Sequence, residues 1–147
     1  MSHERPIAEE LLTSLDPVRA QLIGSLCVEC GHHAFPRQAS CSRCCGTSVK
    51  PVKLARRGTL WSWTNQSFMP PSPPYSGPES SAETFSPFFL GMVELPGQCR
   101  VVGRLALHRK DIEIDMKLEL DLFPFVNASD GSTLVSYIFK AVPEAPN

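Results

Sequence analysis

Neither sign of charge is in excess in this 147-residue sequence: 14 Lys and Arg face 15 Asp and Glu, a formal net charge of -1. A protein that lives on phosphate backbones normally carries a clear basic surplus, so the balance counts against nucleic acid as the main partner. Long apolar runs are missing too. Phe88–Leu90 and the interrupted stretch Val135–Phe139 are far too short to span a bilayer, which sets the membrane aside. Met1 to Glu10 hold acidic residues and no continuous apolar stretch, so they do not read as a secretory leader, and the expected compartment is the cytoplasm. Without secretion, the glycosylation sequons at Asn65 and Asn127 carry no meaning. Catalytic motifs are equally sparse. No serine sits in a G-x-S-x-G setting and no phosphate-binding glycine loop is present. The four histidines are His3, the pair His32 and His33, and His108 before Arg109-Lys110. Asp111, Glu113 and Asp115 alternate as a solvated face would. No catalytic residue is assigned.

What is present divides into three zones: an N-terminal helical segment over 1–26, a rubredoxin-like zinc ribbon over 27–53, and a barrel over 54–147. In the first, Ile7, Leu11, Leu12 and Leu15 recur at helical spacing. Asp16-Pro17 then reads as an N-cap and first-turn proline, with Gly24 closing a second short helix. Such helices need a surface to pack on, either the chain's own barrel or a partner. In the third zone, Met116, Leu118, Leu120 and Leu122 alternate with Lys117, Glu119 and Asp121, the pattern of a strand with one buried face. Gly58–Thr64, Phe88–Leu95, Arg100–Leu107 and Thr133–Lys140 are further strands by composition. Five strands without a long helix predict a mainly β protein whose barrel is the five-stranded OB-fold. A Pro-rich loop at 69–87 separates the first two strands; it is read as a contact surface for a ligand or partner, or as a mobile excursion.

The strongest chemical signal is Cys27-x2-Cys30 followed, ten residues later, by Cys41-x2-Cys44. Two residues between cysteines allow a tight turn to aim both sulfurs at one ion, and two such knuckles complete a tetrahedral shell. In a reducing compartment that pattern favours metal over disulfide. Zinc is the expected ion, one per chain, with iron as the minor alternative. A closed four-sulfur shell leaves no position for substrate, so the site is expected to be structural. Gly31 suits the positive φ often needed after a knuckle. Cys45 follows Cys44 directly and competes with it as ligand, although Cys41/Cys44 keeps the two-residue gap. His32 and His33 are the other neighbours able to ligate. Cys99 stands alone and is read as a buried, inert thiol.

In this order, Cys-Val-Glu-Cys-Gly, Phe35-Pro36-Arg37, Cys-Ser-Arg-Cys, Arg57-Gly58-Thr59-Leu60-Trp61-Ser62-Trp63-Thr64, Phe88 to Leu95 and Val102-Gly103-Arg104-Leu105 resemble one family. It is the zinc-ribbon plus OB-fold type (domain of unknown function 35) that accompanies thiolase-like and acyl-CoA enzymes. Pro73-Pro74-Tyr75 and Pro78 resemble the subgroup paired with lipid-transfer-protein-type thiolases or aldolases in steroid side-chain degradation. Cys45, where the family usually has glycine, is the departure. The resemblance implies a non-catalytic subunit that docks on a thiolase-like partner in a hetero-oligomer and supports its acyl-CoA site.

Two further groups have competing readings. Lys53, Arg56 and Arg57, with Tyr75 in the loop, are candidates for contact with coenzyme A phosphates or the partner; a solvated turn is the plainer account. Trp61 and Trp63, two apart on one strand, are expected on one face. There they either fill the barrel or stack bases in a single-stranded nucleic-acid module, with the same basic group for phosphates.

Overall fold

The structure, a computed structural model, describes residues 3–69, 85–127 and 130–143. Nine strands form along them: β1 (Glu4–Pro6), β2 (Ile23–Cys27), β3 (His33–Ala34), β4 (Val49–Lys53), β5 (Arg57–Gln66), β6 (Phe88–Glu94), β7 (Arg100–Leu105), β8 (Lys117–Asn127) and β9 (Thr133–Ala141). The protein is mainly β; the helical element among the described residues is one 3-10 turn at Arg109–Asp111.

The last five strands close on themselves. β5 pairs with β6, β6 with β7, β7 with β9 in parallel, β9 with β8, and β8 returns to β5. This is the OB-type barrel expected from five short strands. The alternation in β8 is realised as read: Leu118 and Leu120 are fully buried, and Met116 and Leu122 pack against the same core. Leu60, Val93, Val101, Leu105 and Phe139 bring the inward positions of the other four strands to meet them. Each such side chain contributes about 1.5–3 kcal/mol by leaving water.

The expected N-terminal helices are not there. β1 instead runs parallel to β9 with Arg5 opposite Leu134. Leu12 pairs with Leu22 in an antiparallel bridge, flanked by bonds from Thr13 N to Gln21 O (3.0 Å) and from Ile23 N to Leu11 O (3.0 Å). The cap at Asp16 does form, since its carboxylate accepts from Val18 N at 3.0 Å, but it closes only one turn. The reason is length: a stretch this short gains too few internal bonds to offset helix nucleation. Folding back as a ribbon sends Leu12, Ala20 and Leu22 into the barrel's own core. The segment therefore packs on its own chain.

β2, β3 and β4 make a separate three-stranded sheet, which carries the cysteines. Gly24 lies inside β2 rather than at a helix end. A Cβ there would stand 2.6 Å from Ala34 O and 3.1 Å from a Leu54 methyl, so the close strand crossing requires glycine. This sheet is tied to the barrel by Phe35, whose ring meets Tyr137 edge-on at 5.7 Å. Gln98 bonds both the Ala55 N–H (2.7 Å) and Lys53 O (3.2 Å), fixing the connection between sheet and barrel.

Candidate metal centre

Each knuckle is a tight turn with the same backbone bonds. In the first, Gly31 N donates to Cys27 O (2.8 Å) and Cys27 N to His32 O (2.9 Å). In the second, Cys45 N donates to Cys41 O (2.9 Å) and Cys41 N to Gly46 O (2.9 Å). The two turns are superposable bond for bond, so Cys45 occupies the place of Gly31. Both residues have left-handed backbones, with φ of 79° for Gly31 and 63° for Cys45. The glycine expected one residue earlier is replaced by a cysteine that tolerates the strain.

The turns bring four sulfurs together. Those of Cys27, Cys30, Cys41 and Cys44 all lie within 4.8 Å of one another, with Cys27 and Cys44 at 3.6 Å and Cys30 and Cys41 at 3.6 Å. A tetrahedral ion with sulfurs at ~2.3 Å needs S–S edges of about 3.8 Å, so the cluster fits a metal without rearrangement. Cys27 and Cys41 are buried, while Cys44 is exposed. Electrostatics point the same way. Backbone N–H groups of Cys44, first, and of Arg43 bond the Cys41 sulfur and lower its pKa to about 7. Cys44 is pushed up to about 12: the Gly46 N–H favours its thiolate, but the Cys27 and Cys30 sulfurs and burial outweigh that bond. Four thiolates this close repel one another, and a divalent cation is what relieves the repulsion.

The remaining residues singled out in the sequence are dispersed. His32 and His33 are half-buried beside the first knuckle, and neither belongs to the group of converging ligands. The Cys45 sulfur is outside that group as well. Cys99 is half-buried ahead of β7, and burial raises its pKa. Lys53 is exposed at the end of β4. Arg56 is turned inward: its guanidinium donates to the carbonyls of Ala20, Pro17 (2.8 Å) and Leu120 (2.9 Å). Arg57 is exposed with Nε 3.6 Å from Glu119, a carboxylate that also meets Arg56 at 3.9 Å. Tyr75 and most of the Pro-rich loop lie outside the described residues.

Trp61 and Trp63 are not on one face. A bulge between Leu60 and Ser62 inserts an extra residue, so Leu60 pairs with Val93 and Trp63 with Gly91, both inward. Trp63 packs at the core with its ring edge-on to Phe89 (5.8 Å), whereas Trp61 is 47% exposed under Arg100 (4.0 Å). Sequence reasoning missed a second constellation. Arg104 lies over Phe88 (4.2 Å) and Phe123 (5.0 Å), and Arg109 over Trp63 (5.7 Å). These residues come from four strands and a turn, so no local spacing announces them.

A cysteine-knuckle ribbon joined to an OB-type barrel is the class of protein that this fold and cluster define. Residues 51–123 match the family described as ChsH2, C-terminal OB-fold domain. The benzoylsuccinyl-CoA thiolase subunit BbsA of Thauera aromatica is 27% identical over 82% of this chain and 76% of its own. A DUF35 domain-containing scaffold protein of Methanothermobacter thermautotrophicus is 26% identical over 87% and 90%. Among solved structures, the Ltp2-ChsH2(DUF35) aldolase aligns with a TM-score of 0.58 at 23% identity, covering 82% of this chain and 84% of that one. A DUF35-family protein of unknown function from Sulfolobus solfataricus aligns with a TM-score of 0.50 at 13% identity over 83% and 76%. Residues 51–123 thus form an OB-fold domain of the ChsH2 C-terminal type, and the chain as a whole is similar to DUF35-family proteins.

Proposed function

We propose that this chain is a non-catalytic accessory subunit that binds a thiolase-like thiolase or retro-aldolase in a hetero-oligomer and supports its acyl-CoA chemistry. The observation that carries the reading is the similarity, over four-fifths of the chain, to a benzoylsuccinyl-CoA thiolase subunit. The shared architecture with a DUF35 chain of an aldolase supports it. Resemblance in the Pro-rich loop favours an acyl-CoA from steroid side-chain degradation as the partner's substrate.

In this reading the four-cysteine cluster holds one structural zinc. Cys27, Cys30, Cys41 and Cys44 supply the whole shell, and the ion's contribution is folding energy for a sheet too small to own a core. The compartment is the cytoplasm, where thiols stay reduced; none of the described helices is long and apolar enough to cross a membrane. Against the alternative of a single-stranded nucleic-acid module stands the bulge that separates Trp61 from Trp63, together with the inward engagement of Arg56.

The test is affinity capture of the tagged chain from its native host, with the co-purifying chains identified and metal measured on the same sample. A thiolase-fold protein at near-equal ratio with one zinc per chain is the expected result. Recovery of nucleic acid, or of no partner, would overturn the accessory reading and leave the metal centre standing.

A further inference from the structure

Where β5 pairs with β8, the outer face of the barrel carries more cations than its acids can match. Arg57 lies opposite Glu119, and Thr59 opposite Lys117. The one carboxylate of Glu119 serves two guanidinium groups, Arg57 at 3.6 Å and Arg56 at 3.9 Å. Glu94, across from Thr59 on β6, is engaged by Arg100 (3.5 Å), and Asp121 by Lys140 (3.4 Å). Lys117 is left with a neutral partner. Its ammonium donates to the Thr59 hydroxyl at 3.2 Å, and it forms no ion pair among the described residues. A hydroxyl acceptor holds the ammonium in place without cancelling its charge. Lys53 adds an exposed cation where β4 ends, its carbonyl bonded by Gln98 (3.2 Å).

Lys117 and Arg57 line a hollow of about 240 Å³ whose other walls are Gly58, Thr59, Pro96 and Val142. Small-molecule sites run to about 300–1,000 Å³, so this one is sized for a protein side chain. Its free donors are the Lys117 ammonium and part of the Arg57 fork, enough for one carboxylate and too few for a run of phosphates. Thr59 and Pro96 also border a second hollow of about 570 Å³, formed by the turn from Leu95 to Arg100, where Glu94 and Arg100 neutralise each other. Arg100, which lines it, rests on the exposed Trp61 (4.0 Å). Tryptophan and arginine are the side chains that most often anchor protein interfaces.

We propose that this surface docks an acidic segment of a partner protein, with an aspartate or glutamate carboxylate at Lys117 and Arg57 and its apolar neighbours crossing Pro96 towards Trp61. Charge argues for that occupant. A positive hollow on a chain of net charge -1 selects a local acid and does not draw polyanions from a distance. That the partner is the thiolase-fold subunit rests on the accessory-subunit reading.

The tagged, full-length, metal-loaded chain is used to capture its partner from the native host at increasing salt, as wild type and as Lys117→Gln, Lys117→Glu and Lys110→Glu. Capture is expected to weaken with salt, to fall about fivefold in Lys117→Gln and to fall more than about tenfold in Lys117→Glu. Lys110→Glu makes the same charge change on the 3-10 turn, outside both hollows, and should cost less than about threefold. Melting temperatures separate lost docking from lost folding, and the neutral Lys117→Gln should melt as wild type does. Full retention of a thiolase-fold partner by both Lys117 variants, or an equal loss in Lys110→Glu, would overturn the surface and leave the accessory reading standing. Capture of no such partner by wild type would sink the accessory reading, and calorimetry with a capped peptide of alternating glutamate and leucine then judges the surface. Peptide binding that Lys117→Glu abolishes would sustain an acidic protein as the occupant; no binding would overturn it. Oligothymidylate binding with the same loss in Lys117→Glu would assign the hollow to phosphates and overturn the proposal as well.

Discussion

Cys45 carries the sharpest consequence for a single side chain. It sits at φ 63° in the place that glycine holds in the other knuckle, and a left-handed non-glycine residue costs about 1–2 kcal/mol. Part of that gain returns as chain entropy, so Cys45→Gly is expected to stabilise the metal-loaded chain by about 1 kcal/mol in a denaturant melt. Metal content should be unchanged in Cys45→Gly and lost in Cys30→Ala; the opposite pattern would make Cys45 the ligand. Tyr137 gives a prediction in pH. Burial pushes its phenol up to about 12 while its hydroxyl donates to Val102 O at 2.6 Å. The folded state therefore holds the proton more tightly than the unfolded one. Its contribution is fully present below about pH 10 and is lost as pH rises from 10 towards 12. The difference in stability between wild type and Tyr137→Phe should shrink across that interval, with a slope of at most about 1.4 kcal/mol per pH unit. A difference that stays constant with pH would refute the assignment.

Among the elements, the folded-back N-terminal segment depends on one long side chain. Arg56 leaves the β4–β5 connection and ties the carbonyls of Pro17 and Ala20 to that of Leu120 on β8. Replacing it by Met keeps the alkyl packing but removes the charge-assisted bonds and leaves buried carbonyls unpaired. A loss of about 2–3 kcal/mol is expected. Hydrogen exchange should show it first as faster exchange at Thr13 and Ile23, whose N–H groups close the bridge between Leu12 and Leu22. Uniform destabilisation without that local signature would mean that the segment is held by its leucines alone.

For the molecule as a unit, the ribbon and the barrel differ in what stabilises them. The barrel and N-terminal segment share one apolar cluster, while the three-stranded sheet has the cysteine site and meets that cluster only at its edge, through Val52 and Phe35. Removing metal with a chelator should release the sheet's amide protection before the barrel's and lower the melting temperature of the chain. Metal affinity should fall as pH drops below 7, because Cys41, lowered to about 7, and the more basic Cys44 must lose their protons to bind. Chelation that leaves ribbon exchange untouched would show that the sheet folds without the ion.

Much of this was legible in the residues themselves. Two C-x2-C pairs predict one four-sulfur cluster because two knuckles are local turns, each set by a few consecutive residues. Period-two alternation in Met116–Leu122 predicts a half-buried strand for the same reason, since pleat and burial follow from neighbours. Local reasoning stopped where distant segments compete. Helical spacing at Ile7, Leu11, Leu12 and Leu15 was overridden by the gain from burying Leu12 and Leu22 in a core built far along the chain. One bulge turned Trp61 away from Trp63 to keep Leu60 and Trp63 in register with Val93 and Gly91. The stacking of Arg104 and Arg109 exists only because the barrel closes, bringing Phe88, Phe123 and Trp63 beneath guanidinium groups that no sequence spacing joins. The amino-acid order thus determined the turns, the strands and the cysteine ligand set through short-range geometry; tertiary packing decided which faces those elements show, because burial is settled between segments rather than within them.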